Sequence, residues 1–316
     1  MQDIYVVITM DCERPPADTH AIASGPPDLA TSEAWVRAYA ERAGRHGYPV
    51  SFFPHPEVAD GQAALYRELA ADGAALGMHL HPWKFDDGRY KAHFGSMTET
   101  ELRACLTDAI AMWQDAIGRH PLYFRPGTFS ANDNAFRVLA EMGFRGGSLS
   151  VPGRFYPRQN AIWTGAEPDP HRGHEAFRQL AGALDFANMP VSVDHSELLE
   201  KDGKRYHWDL RPDFVDADYP AIARNIVAQV TARAPAVPVI NMITHNDNDY
   251  TDDDDRVCGN FEEVLRQIDL AVTEAGLNPV GATIETIADL VLATPPVDRP
   301  FDPVAMPRAT FYGAEG

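Results

Sequence analysis

The chain has 316 residues, 45% of them hydrophobic and 23% charged, as in an ordinary globular protein that needs no staple to fold. Acidic residues outnumber basic ones 46 to 27, giving a net charge of −19. That balance argues against non-specific binding to nucleic acid or an anionic membrane, which needs a basic face, and it suits a site that holds a cation. Cys12, Cys105 and Cys258 are odd in number and form no CxxC pair, so no disulfide framework is expected. No apolar run approaches the roughly 20 residues that span a bilayer, and no signal-peptide pattern opens the sequence. The expected address is cytoplasmic.

Short β-branched runs alternate with helical patterns. Residues 4–9 read as a strand and 32–46 as a helix, capped at Thr31 or Ser32 and stopped by Gly47. Strands follow at 49–53, 74–79, 122–125 and 147–151, with helices at 62–71, 98–117 and 132–142 between them. Thr98 and Glu101 form a capping box. From 152 to 220 the rhythm breaks into a stretch rich in Pro, Gly, His and aromatics, with one further strand near 189–193. Helices at 221–232, 261–275 and 283–293 then alternate with strands at 237–244 and 278–282, and the tail 295–316 reads as extended. Such alternation predicts a mostly parallel sheet with helices outside. Seven or eight units imply a barrel more readily than an open sheet. The expectation is one domain over 1–316, with 152–220 inserted over the face where the strands end.

Chemistry gathers at those strand ends. Asp11 and Glu13 follow the first strand, His79 and His81 the third, Arg125 the fourth, Asp194 the strand near 189–193, and His245 the strand ending at Thr244. Residues two apart on a strand share a face, so His79 and His81 can point at one ion. Each element alone has a plainer reading: a turn acid, a core histidine, a surface ion pair. Together, two histidines and a carboxylate suit a catalytic metal site with one open position. A second carboxylate can take a proton from water, and a histidine across the site can protonate a leaving group. The aromatics Trp83 and Trp208 are candidates for packing on a substrate ring, or for simple core filling. The run Asp252–Asp255 is not an EF-hand loop and reads as solvated.

Thr9-Met10-Asp11-Cys12-Glu13, Gly77-Met78-His79-Leu80-His81, Phe124-Arg125-Pro126-Gly127 and Thr244-His245 resemble, in order and spacing, the motifs of the NodB-type polysaccharide deacetylases of carbohydrate esterase family four. The resemblance implies a distorted (β/α)7 barrel, a divalent metal, often zinc, and hydrolysis of an N-acyl group from an amino sugar or glycan. It implies Asp11 as catalytic base, Arg125 as the residue that orients it and His245 as general acid. The family's metal-binding Asp falls at Cys12, so the carboxylate ligand is assigned to Glu13, with Cys12 or Asp11 as alternatives. The family's second histidine falls at Trp83. Here His81 takes that part, with His93 as a more distant candidate. Trp83, Asp194 and Trp208 are the expected substrate contacts. These departures from the motifs suit surface-polysaccharide biosynthesis more than chitin-type substrates. A small-molecule amidohydrolase, allantoinase- or deformylase-like, needs the same rim residues, and a non-catalytic glycan-binding protein is the third reading.

Overall fold

A computed structural model describes residues 2–20 and 23–297. In chain order, β1 (Asp3–Cys12) leads to α1 (Leu29–Arg45), β2 (Val50–Pro54), α2 (Pro56–Gly61), α3 (Ala63–Ala71), β3 (Ala75–Leu76), β4 (Met78–Leu80) and α4 (Glu99–Ile117). Next come β5 (Tyr123–Pro126), α5 (Ala135–Glu141) and β6 (Gly146–Gly147). The middle stretch carries β7 (Phe155–Tyr156), β8 (Ala161–Ile162), β9 (His171–Arg172), β10 (Ala187–Asn188), β11 (Val193–Lys201) and β12 (Lys204–Asp209). The chain then runs through α6 (Tyr219–Arg233), β13 (Val239–His245), α7 (Arg256–Glu274), β14 (Asn278–Ala282) and α8 (Ile284–Ala293).

One parallel sheet has the order β13-β1-β2-β3, with β14 beside the start of β1. A second has the order β4-β5-β6-β10-β9, parallel except for β9. The two are the halves of a distorted barrel, joined by isolated bonds rather than continuous ladders. Gly77 N donates to Phe52 O (2.9 Å) at one seam, and Ser192 N to Asn241 O (2.9 Å) at the other. Gly77 also explains why the single strand expected at 74–79 is two. A Cβ there would lie 2.4 Å from the Phe53 ring, so only glycine lets the chain pass at that break.

Alternation along β1 divides its side chains between two environments. Val6, Ile8, Met10 and Cys12 join the main core, where α1, α4 and α7 bury Val36, Trp113 and Phe261. Burying each large apolar side chain contributes about 1.5–3 kcal/mol. Asp11 and Glu13 therefore leave β1 on the opposite side from Cys12. The helices form where their patterns lie, but α1 starts earlier than expected. Its cap is Asp28, whose Oδ1 accepts from Thr31 N at 2.8 Å, rather than Thr31 or Ser32. The Thr98–Glu101 capping box is present, and Gly118, at φ 82°, ends α4.

The middle stretch contains more than an insertion. β10 belongs to the barrel, while β11-β12-β7-β8 make a separate antiparallel sheet. The strand expected near 189–193 is instead mostly the connection between β10 and β11, with strand only at Val193. Of the acidic run, Asp255 caps α7 and Asp253 pairs with Arg42 at 2.6 Å. Residues 298–316 of the expected tail lie outside the described residues.

His171 carries a pH-dependent share of stability. Its Nδ1 meets the backbone oxygen of Asp169 at 2.7 Å, and its buried Nε2 has no hydrogen-bond partner among the described residues. Burial pushes its pKa down to about 4, and the nearby Asp169 opposes this only in part. The unfolded chain takes up the proton near pH 6.5 and the folded one does not, so stability falls as pH drops from about 6.5 toward 4. Urea unfolding across that window should show the decline, and His171→Gln should flatten its slope by nearly one proton. An unchanged slope would contradict the assignment.

Candidate active site

The ends of β1, β4, β5 and β13 meet at one point because these strands are parallel. Asp11 is paired in register with His245, and His79 with Arg125. Glu13, just past β1, is the hub. Its Oε1 lies 3.2 Å from His79 Nε2 and 2.9 Å from His81 Nε2, and its Oε2 accepts from Lys84 Nζ at 2.9 Å. All four side chains are buried. Asn246 fixes Glu13 from behind: its Oδ1 accepts from Glu13 N (2.7 Å), and its Nδ2 donates to Glu13 O (3.3 Å) and Ser32 Oγ (2.9 Å).

Glu13, His79 and His81 present three ligand atoms within 4.8 Å of one another. A tetrahedral shell with bonds near 2.1 Å separates its donors by roughly 3.4 Å, close to the two nitrogen–oxygen distances here. The histidines are oriented for the task. His79 Nδ1 donates to Arg125 O at 3.0 Å, which aims Nε2 at Glu13. His81 stands edge-on to Trp83 at 5.7 Å, and its buried Nδ1 has no partner among the described residues. Gly127 makes room for this ring, since a Cβ there would lie 2.1 Å from His81 Nδ1. The donor set therefore fits a divalent cation. Cys12 does not contribute, because its sulfur lies in the main core and burial raises the thiol pKa far above the ordinary range.

Charges are finely opposed here. Burial alone would raise the Glu13 pKa, but His81, His79 and Lys84 hold it well below the usual carboxylate range. Burial drives His81 down to about 3 and so keeps it neutral, as a ligand must be. In His79 burial is outweighed by Asp11 and Glu13, and the pKa is raised. In the absence of a cation, Lys84 supplies positive charge beside Glu13.

Beside this cluster, Asp11 Oδ1 accepts from Arg125 Nη1 at 2.8 Å, with both side chains buried. The Arg125 guanidinium also stacks on the Phe53 ring at 4.1 Å. Burial would raise the Asp11 pKa, but Arg125, His79 and His245 lower it, so the carboxylate is ionised at neutral pH. His245 is half-buried at the end of β13. The structure thus brings together Asp11, Glu13, His79, His81, Arg125 and His245, with Trp83 alongside.

Two expected substrate contacts stand apart. The Asp194 carboxylate is taken up by α6 and its own turn: Asn225 Nδ2 (2.8 Å), Gln229 Nε2 (3.0 Å) and Ser196 N (2.9 Å) all donate to it. These bonds tie the β11–β12 hairpin to α6. Trp208, opposite Asp194 on that hairpin, donates from Nε1 to Glu197 Oε2 (3.0 Å) and packs edge-on against Phe214. His93 lies outside the cluster. Lys84 and Asn246 escaped the sequence reading, since neither belongs to a spaced pattern. The one available signal was their adjacency to the His79-His81 and Thr244-His245 stretches.

The family model described as polysaccharide deacetylase matches residues 28–147. A solved structure assigned as a polysaccharide deacetylase from Mycobacterium smegmatis superposes with a TM-score of 0.53 at 17% identity, covering 94% of each chain. One from Pseudomonas aeruginosa PAO1 gives 0.54 at 14% identity, covering 91% of this chain and 90% of that one. The chain shares the fold of these polysaccharide deacetylases, and its residues 28–147 match that family's model. Within that fold a Puue allantoinase is equally near, with a TM-score of 0.53 at 13% identity over 92% and 91% of the two chains. Among curated sequences, a glutamate–tRNA ligase of Parvibaculum lavamentivorans is 26% identical over 257 residues. These are 78% of this chain, which spans about half the length of that relative. Among the described residues, no helix is long and apolar enough to cross a membrane.

Proposed function

We propose that the chain is a metal-dependent amidohydrolase that removes an N-acyl group, in the first instance N-acetyl, from an amino sugar or glycan. The observation that carries this reading is the contact between two units. The His79–His81–Glu13 triad fits a divalent cation such as zinc, and an ionised carboxylate, Asp11, is locked by Arg125 beside it. His79 Nε2, His81 Nε2 and Glu13 Oε1 would hold the cation, which would supply Lewis acidity toward an amide carbonyl and acidify water. The residues of this chain do the rest. Asp11, kept ionised by Arg125, takes the proton of the attacking water through Oδ2, the oxygen not bonded to Arg125. His245, on the neighbouring strand, gives a proton to the departing amine. Asn246 and Lys84 hold Glu13 in place, with Lys84 occupying its second oxygen so that one oxygen faces the histidines. The half-buried Trp83, edge-on to His81, offers an apolar face to a sugar ring.

This reading predicts acetate release from an N-acetylated sugar, such as N-acetylglucosamine or its oligomers, by protein loaded with zinc or cobalt. The allantoinase neighbour supports a second reading on the same residues, a small-molecule amidohydrolase. Cleavage of allantoin with no acetate released from any sugar would favour that reading. Fully loaded, folded protein that hydrolyses neither class would overturn both and leave a binding role.

A further inference from the structure

Arg154 is a buried cation without an anion. It is 5% exposed, and its Nε is enclosed without a partner among the described residues. Nη1 reaches only the Thr128 backbone oxygen, at a long 3.4 Å. No carboxylate among the described residues lies within ion-pair distance of it. Arg211, nearby, is already held in a fork by Asp209, with bonds of 2.8 Å to each oxygen. A buried guanidinium left unpaired is costly, and buried charges are ordinarily paired. Burial and Arg211 press the Arg154 pKa down to about 10, against the weaker pull of Tyr156, Asp209 and Asp213, so it stays cationic at neutral pH.

Its position ties it to the active site. Arg154 lies over the Phe129 ring at 5.0 Å, and Arg125, the partner of Asp11, lies over the same ring at 5.6 Å. Thr128 and Phe129 both adopt left-handed backbone, at φ 55° and 57°, in the loop that follows the catalytic strand β5. Strain of this kind in non-glycine residues costs on the order of 1–3 kcal/mol each and gathers at functional sites. Trp163 Nε1 pins the loop by donating to Phe129 O at 2.8 Å. The guanidinium also lies over the Tyr156 ring, at 4.7 Å.

We infer that Arg154 is the anchor of an anion subsite beside the hydrolytic centre, and that the substrate carries a carboxylate or phosphate as well as its N-acyl group. The inference rests on the hydrolase reading and narrows its substrate class. The acidic net charge does not forbid it, because distributed charges are screened beyond about 8–10 Å whereas Arg154 acts at contact.

The test separates the subsite from the chemistry. Inorganic phosphate and acetate are titrated calorimetrically into metal-stripped protein, so that no cation competes for them. Saturable binding to wild type is expected, weakened about tenfold to a hundredfold in Arg154→Met and less in Arg154→Lys. With zinc-loaded enzyme, kcat/KM is compared for N-acetylglucosamine 1-phosphate, N-acetylmuramic acid and N-acetylglucosamine. The preference for the phosphate or the carboxylate substrate over the neutral sugar should fall by a similar factor in Arg154→Met, and the arm that falls names the anion. Wild type that binds neither anion and shows no preference for either anionic sugar overturns the subsite, and this result does not depend on whether the variants fold. Anion binding without hydrolysis of any substrate keeps the subsite and overturns the hydrolase reading instead.

Discussion

Asp11→Asn should lower turnover by about 10²- to 10⁴-fold, because it removes the Arg125-bound carboxylate proposed to take a proton beside the His79–His81–Glu13 triad. The same change leaves Arg125 fully buried without its anion, so the variant will also be less stable. Rates must therefore be taken per folded molecule, at a temperature where circular dichroism shows both proteins native. Under those conditions a turnover within threefold of wild type would remove Asp11 from the chemistry. His245→Gln, which removes the proposed general acid, should produce a comparable loss.

The second large effect concerns Glu13 and does not depend on turnover. Its Oε2 is the one carboxylate oxygen in contact with Lys84 Nζ among the described residues, and both side chains are about 99% enclosed. Glu13→Ala strands that ammonium in the interior. Losing one partner of a buried pair costs about 3–5 kcal/mol, whereas losing both is much cheaper. Metal-stripped Glu13→Ala should therefore unfold at markedly lower urea, and Glu13→Ala/Lys84→Met should recover much of the difference. A double variant no more stable than the single one would contradict the pairing. The pH dependence has a defined sign. The Glu13 pKa is lowered on folding, so its contribution is complete above the ordinary carboxylate value of about 4.5 and is lost as pH falls through the folded value.

Much of this site was legible because strand geometry is local. Alternation along β1 places Asp11 and Glu13 on the side opposite Cys12, and the same period aims His79 and His81 together. Parallel pairing then stacks the strand ends in register, bringing residue 245 beside residue 11. What escaped the reading depends on partners far away in sequence. Asn246 meets Glu13 across 233 positions, and Lys84 meets it across 71. No periodicity marks either contact. Asp194 misled for the converse reason. An acid at a strand start reads like a rim residue, but three donors from α6 and the adjoining turn claim it. The middle stretch was least legible: its strands are two residues long or set in a hairpin, and too short a run carries no period. Arg154 and the left-handed pair Thr128–Phe129 likewise announce themselves only through burial and backbone angles.

The central claim is that Glu13, His79 and His81 hold one divalent cation. Elemental analysis of purified protein, after reconstitution with zinc and desalting, tests it most directly. The account predicts about one ion per chain in wild type and little in Glu13→Ala or His79→Ala. Wild type that retains no ion, or both variants retaining a full one, would contradict it.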